Sequence, residues 1–239
     1  MVFYTRVISR CLFVCLLMAM QTVVHADISP KATKLVYLER EQGIEPYYVT
    51  YTVTNDFIRI DDASDTSGYI IFNVLENKIY SVSHYDKSIL IIPEYRSDSS
   101  LPNVKTSIEY SKMEDAPTIS GKPVYNYRVT TGTGEDSSVC MDIQLVPGLL
   151  PDVASVLQKF QALVSGQHVY NLDNTPSEYH TPCYLVDQVF NAGEYYEKGL
   201  PIREWHSNER MRQLVNFEAI DVNPAQFIYP LDYRQYSLK

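Results

Sequence analysis

The stretch from Gly68 to Pro93, GYIIFNVLENKIYSVSHYDKSILIIP, alternates apolar and polar positions in short runs. It predicts three consecutive antiparallel strands joined by two-residue turns at Glu76-Asn77 and Asp86-Lys87. One face then carries Tyr69, Ile71, Asn73, Tyr80, Val82, His84, Ile89 and Ile91. The other carries Ile70, Phe72, Val74, Ile79, Ser81, Ser83, Leu90 and Ile92. Both faces are largely apolar, whereas an antiparallel sheet with one wet face would keep its apolar residues on a single side. A curved sheet covered on at least one side accounts for this, with Ser81 and Ser83 leaving a shallow hollow among larger side chains.

The period of two recurs along most of the chain. It marks strands over 34–40, 47–54, 57–60, 124–131, 139–146, 200–206 and 209–220, separated by turns such as Gln42-Gly43, Asn55-Asp56 and Ser207-Asn208. The period changes to helical over 152–165, where Val153, Val156, Leu157, Phe160, Leu163 and Val164 share a face and Gly166 stands in the place of a left-handed cap. A second helix is predicted from its cap Thr181 and first-turn Pro182 to near Gly193, with Leu185, Val186, Val189 and Phe190 as its face. Residues 94–121 read as a proline-broken loop holding a short helix or an edge strand around 104–112, and Phe227 to Pro230 as a docked tail. The order of elements predicts an α+β domain with a mainly antiparallel sheet and two packed helices.

The first 26 residues stand outside that fold. Arg6 and Arg10 precede an apolar run from Cys11 to Met20, and Val24-His25-Ala26 offers a small-residue cleavage site, so residues 1–26 are predicted to be a secretory signal peptide. The run is about half of the roughly 20 residues a membrane span needs, which predicts no transmembrane anchor after cleavage. Residues 27–239 are one domain's worth of chain, exported, with the periplasm of a Gram-negative bacterium as the predicted compartment. The net charge of −9 disfavours a nucleic-acid partner.

Two cysteines lie beyond the signal peptide, Cys140 and Cys183, an even pair that in an exported protein predicts one disulfide. Such a bond would pin the second helix to the strand of Cys140. A metal site built on Cys183 and His180 is the weaker alternative, because two ligands do not make a zinc set. The acidic loop DDASDTS at 61–67 lacks the spacing of a calcium loop.

Catalytic signatures are missing from the sequence. There is no Gly-x-Ser-x-Gly, His-Glu-x-x-His or dinucleotide fingerprint, and Ser83 and His84 face opposite ways in a strand. His84, Asp86 and Lys87 could form a polar patch at a hairpin tip. No cofactor is predicted, and a non-enzymatic role is favoured over a hydrolase.

The segments Tyr48-Val-Thr-Tyr-Thr-Val53, Phe57-Ile-Arg-Ile-Asp61, Gly68-Tyr-Ile-Ile-Phe72, Lys78-Ile-Tyr80 and His84-Tyr-Asp-Lys87 resemble the exported domain-of-unknown-function families with a LolA-like fold, of the DUF4412 type. Gly199-Leu-Pro-Ile-Arg-Glu204 and the closing Phe227-Ile-Tyr-Pro230 with Tyr233 are similar to their ends, while Asn73 stands where an aspartate is common. The resemblance implies an incomplete, strongly curved β-barrel closed by helices, as in lipoprotein carriers of the Gram-negative periplasm. It brings no set of acyl-contact residues with it.

Two roles follow as expectations. In the first, the protein holds a lipid or other apolar small molecule in the concave hollow formed by Ile70, Phe72, Val74, Ser81, Ser83, Leu90, Ile92, Leu157 and Phe160. In the second, the helices fill that hollow with Leu157, Phe160 and Phe190, and tyrosine-rich strand faces or a sheet edge bind another envelope protein. The volume of the hollow separates the two.

Overall fold

A computed structural model describes residues 31–95, 104–191 and 193–238. The signal-peptide prediction therefore lies outside the described residues. Twelve strands form one open sheet: β1 (Lys31–Arg40), β2 (Tyr47–Val53), β3 (Phe57–Asp62), β4 (Gly68–Asn73), β5 (Lys78–Ser83), β6 (Ser88–Pro93), β7 (Thr106–Lys112), β8 (Tyr125–Thr131), β9 (Ser138–Val146), β10 (Leu200–His206), β11 (Met211–Asp221) and β12 (Arg234–Ser237). Their spatial order is β12-β6-β5-β4-β3-β2-β1-β11-β10-β9-β8-β7. All neighbours are antiparallel except β12, which adds to β6 in parallel. Among the described residues the sheet ends at β12 and at β7 and is not a closed barrel. The segment around 104–112 is an edge strand rather than a helix.

The central meander pairs two residues away from the predicted register. Asn73 faces Lys78 and Ser83 faces Ser88, so each turn holds four residues rather than two. Asn73 causes the first shift: its side-chain oxygen accepts the backbone N–H groups of Leu75 (3.0 Å) and Glu76 (3.1 Å) and starts the turn early. Because the side-chain period is two, a slip of two leaves both faces unchanged.

Both faces are covered. On the inner face, Phe72 and Ile79 join the main core with Leu35, Tyr51, Ile143 and Leu157. On the outer face, Ile71, Tyr80, Val82 and Ile89 are buried beneath Tyr229 and Tyr233 of the tail. Phe227 stacks on Phe57 at 5.3 Å, and Tyr229 stacks on Tyr80 at 4.7 Å. The tail thus docks as predicted, and β12, which the sequence pattern did not signal, fastens its end.

Helix α1 runs from Pro151 to Asn171, longer than predicted at both ends. Gly166 is inside it, not its cap. A Cβ there would stand 2.7 Å from the Tyr95 carbonyl oxygen, so the glycine admits a crossing backbone. Helix α2 (Pro182–Leu185) continues as a π-helical turn, Val186–Phe190. Thr181 caps it by accepting the Tyr184 N–H at 3.2 Å. Gly193, with φ of 83°, opens a separate 3-10 turn, Glu194–Glu197. Cys140 and Cys183 form the disulfide that ties α2 to β9. No described helix is long and apolar enough to cross a membrane.

Candidate functional site

The predicted hollow does not form one pocket. Phe72 is fully buried and meets Phe160 edge-on at 5.6 Å, while Leu157 packs into the same core. Ile92 also packs against that core, and Leu90 is half-buried. Val74 lines a separate cleft with Lys159 and Leu163. Ile70, Ser81 and Ser83 do leave a depression, with Val49 and Ile60, of about 250 Å³. That is below the roughly 300 Å³ at which ligand pockets begin, and Asp62 and Asp65 stand on its rim. At the hairpin tip, His84 binds the Tyr233 hydroxyl through Nδ1 (2.8 Å), which anchors the tail.

A larger apolar cavity, of about 440 Å³, lies between the β7–β8 connection and the β9–β11 part of the sheet. Met113, Ala116, Ile119 and Val124 form one wall. This connection is held in place by the Met113 N–H to Val124 carbonyl bond and by reciprocal bonds between Ile119 and Lys122. Ile202, Leu214 and Phe217 form the opposite wall, where a bulge at Val36/Tyr37 breaks the β1–β11 register. Gln144, Arg203 and Gln213 supply its polar atoms. Arg203 is exposed and forms no ion pair among the described residues.

A buried polar network occupies the inner face beside this cavity. Glu204 on β10 pairs directly with Arg212 on β11. Its Oε1 accepts from Arg212 Nε at 3.0 Å and also from Nη2. Arg212 donates onward to the hydroxyls of Tyr196 (2.9 Å) and Tyr51 (3.3 Å) and lies over the Tyr37 ring. Glu204 Oε2 accepts from the Tyr195 hydroxyl at 3.4 Å. Burial pushes the Glu204 carboxyl up, but Arg212 and His206 outweigh it and hold its pKa at about 2.

His206, two residues on from Glu204 and also buried, extends the network to the π-helical turn. Its Nδ1 lies 2.9 Å from Asp187 Oδ1. Burial lowers its pKa, and the hydrogen bonds to Asp187 and Glu204 more than reverse this. Asp187 is shifted the other way: burial raises it, and His206 and Arg210 bring it below the usual carboxylate range. The second ring nitrogen, Nε2, is flanked by Arg210 Nη2 (3.3 Å) and Glu204 Oε2 (3.5 Å). Both nitrogens are thus met by charged groups, and among the described residues no nucleophilic hydroxyl is hydrogen-bonded to the ring.

Sequence reasoning missed this network. Glu204 and His206 on β10, and Arg210 in the turn with Arg212 on β11, are each two positions apart, a spacing shared with a solvated face. The available signal was sign complementarity across the tight 207–210 turn, together with Asp187 standing inside the apolar run Leu185-Val186 to Val189-Phe190. Among the described residues no three His, Cys, Asp or Glu side chains converge as a metal site.

No protein-family model matches the chain, and no curated protein matches it. Among solved structures it is similar to an uncharacterized conserved protein from Thermus thermophilus, at 10% identity and a TM-score of 0.43, over 88% of this chain and 92% of that one. It is also similar to PNGF-II in two crystal forms, at 8% and 9% identity and TM-scores of 0.39 and 0.40. There it covers 87% of this chain but only 31% and 32% of those chains. Neither likeness bears on function.

Proposed function

We propose that the protein is an exported, non-enzymatic binding protein of the Gram-negative periplasm, with a curved, LolA-like sheet, that holds a lipid or other apolar small molecule. The ligand sits in the cavity under the β7–β8 connection rather than in the hollow of the meander. The observation that carries this reading is the cavity itself: about 440 Å³, walled by Met113, Ala116, Ile119, Val124, Ile202, Leu214 and Phe217. Its size and mixture of apolar walls with a few polar groups suit a small-molecule site. The disulfide fits an oxidising compartment.

The test is native mass spectrometry of the chain purified without detergent from a bacterial periplasm, followed by solvent extraction. The expected result is added mass that extracts as lipid and is lost when Ala116→Trp fills the cavity. An unliganded mass, together with no saturable binding of a fluorescent fatty acid, would reject the reading.

A second reading has one specific observation behind it. All seven residues of the edge strand β7 are exposed, including Ile108 and Tyr110, so an extended segment of another envelope protein could add to this edge. In that case an interaction would survive Ala116→Trp and be lost when Glu109→Pro disrupts the β7 edge.

A further inference from the structure

A second cavity, of about 500 Å³, opens at the start of α2 and is lined by more polar residues than the first. Cys183 forms part of its wall, together with Thr181, Asp187, Ser207, Asn208 and Arg210. Several acceptors facing it are already engaged. Asp187 uses Oδ1 for His206 and Oδ2 for the Gln188 amide (2.7 Å), and Asn208 Oδ1 takes the Arg210 backbone N–H (3.2 Å). Donors remain: the Thr181 and Ser207 hydroxyls, the Asn208 amide N–H groups and the Arg210 guanidinium, whose side chain is 37% exposed and whose Nη2 faces His206 Nε2 (3.3 Å) and Asp187 Oδ2 (4.0 Å). A donor-rich recess with a guanidinium on its rim suits an oxyanion.

The back of the cavity adds a control. His206 Nε2 lies between a donor, Arg210 Nη2 at 3.3 Å, and an acceptor, Glu204 Oε2 at 3.5 Å. It can serve only one of them at a time. With Nδ1–H donated to Asp187, a neutral ring accepts from Arg210 through Nε2. A protonated ring carries Nε2–H, donates it to Glu204 and repels Arg210.

We propose that this cavity binds a small molecule bearing a carboxylate or phosphate on Arg210, and that protonation of His206 releases Arg210 to it. Three charged groups face His206: Asp187 from the π-helical turn, Glu204 from its own strand and Arg210 from the β10–β11 turn. Arg212 lies behind Glu204. Glu39 on β1 acts electrostatically on Arg210 and Arg212. His168 on α1 senses Asp187 and Arg210, but burial lowers its pKa, so it is neutral where His206 takes up its proton. Protonation of His206 is favoured by the two carboxylates beside it.

The test uses the full chain and two probes, succinate and inorganic phosphate, titrated separately by calorimetry at constant ionic strength from about pH 6 to about pH 8, the range in which histidine exchanges its proton. The expected result is saturable binding of one probe, which identifies the anion class. Affinity should fall about tenfold for each pH unit above the His206 pKa, because only the protonated form is competent. Arg210→Gln should lose binding, and Arg40→Gln, on an exposed strand end, should keep it. Reciprocally, bound anion must raise the His206 pKa read by imidazole NMR in the wild type, a measurement that needs no variant to fold. Absence of saturable binding by either probe, binding unchanged by Arg210→Gln, or affinity and His206 titration that ignore each other would overturn the proposal.

Discussion

Glu204 and Arg212 stand opposite each other on β10 and β11, and their side chains are 3% and 16% exposed. Burying such a pair costs desolvation on both sides, and the three tyrosines that receive or give hydrogen bonds around it offset part of that cost. Removing one partner leaves the other charge buried alone. Glu204→Gln should therefore destabilise the fold by about 3–5 kcal/mol, read as a lower urea midpoint. Replacing both residues by methionine should recover much of the loss, and a double-mutant cycle would measure the coupling.

The same residues set opposite pH dependences. Glu204 has a folded pKa of about 2 against an ordinary 4.5, so its contribution is complete above 4.5 and is lost as pH falls toward 2. His206 is raised above 6.5, so its contribution is complete below 6.5 and is lost as pH rises through the folded value. Denaturation midpoints across pH should peak between the two windows. His206→Gln should flatten the alkaline limb and also weaken the acid limb, because His206 helps Arg212 hold the Glu204 carboxyl low and helps Arg210 hold Asp187 low.

Cys140 and Cys183 enclose a long loop, 43 residues apart in sequence, and join the strand and the helix that flank the polar cavity. Cys140→Ser should lower stability by about 4 kcal/mol in the chain-entropy account. The loss should appear under oxidising conditions only, and reductant should bring the wild type down to the variant's melting temperature.

Gly166 provides a local test of packing against propensity. An alanine in place of a helical glycine normally gains about 1 kcal/mol. Here the added Cβ would stand 2.7 Å from the Tyr95 carbonyl oxygen, a backbone atom that cannot simply rotate away. Gly166→Ala should lower the melting temperature instead, at a cost of about 1–3 kcal/mol, the usual range for overpacking.

How far the sequence could be read follows from what each signal depends on. Apolar alternation alone gave the two-sided burial of β4–β6, because face assignment needs only parity. The four-residue turns escaped it because the Asn73 side chain, not the alternation, decides where the first one begins. The cap at Thr181 and the Cys140–Cys183 pairing were visible as local chemistry. Gly166 was misread as a cap because its reason lies in Tyr95, some seventy positions away. Glu204, Arg212, His206 and Asp187 left only an indirect trace as a cluster, since burial of a charge depends on which distant strands and helices close over it. Phe72 and Phe160 were rightly grouped, but whether two aromatic rings line a space or fill it is decided by helix placement.

The strand order also bears on how the chain reaches this state. Strands β2–β6 pair with their sequence neighbours, as do β7–β9, and among the described residues the two blocks are joined in the sheet ladder where β1 pairs with β11. That seam joins Lys31 to Asp221, near the beginning and the end of the domain. Loop-closure entropy makes it the slowest contact to form, and a chain shortened before residue 211 could not form it at all. Until the last strands are made, β1 presents an unpaired edge in the middle of the future sheet. Forms that lack the last strands are therefore expected to expose this edge and to aggregate more readily than the whole domain.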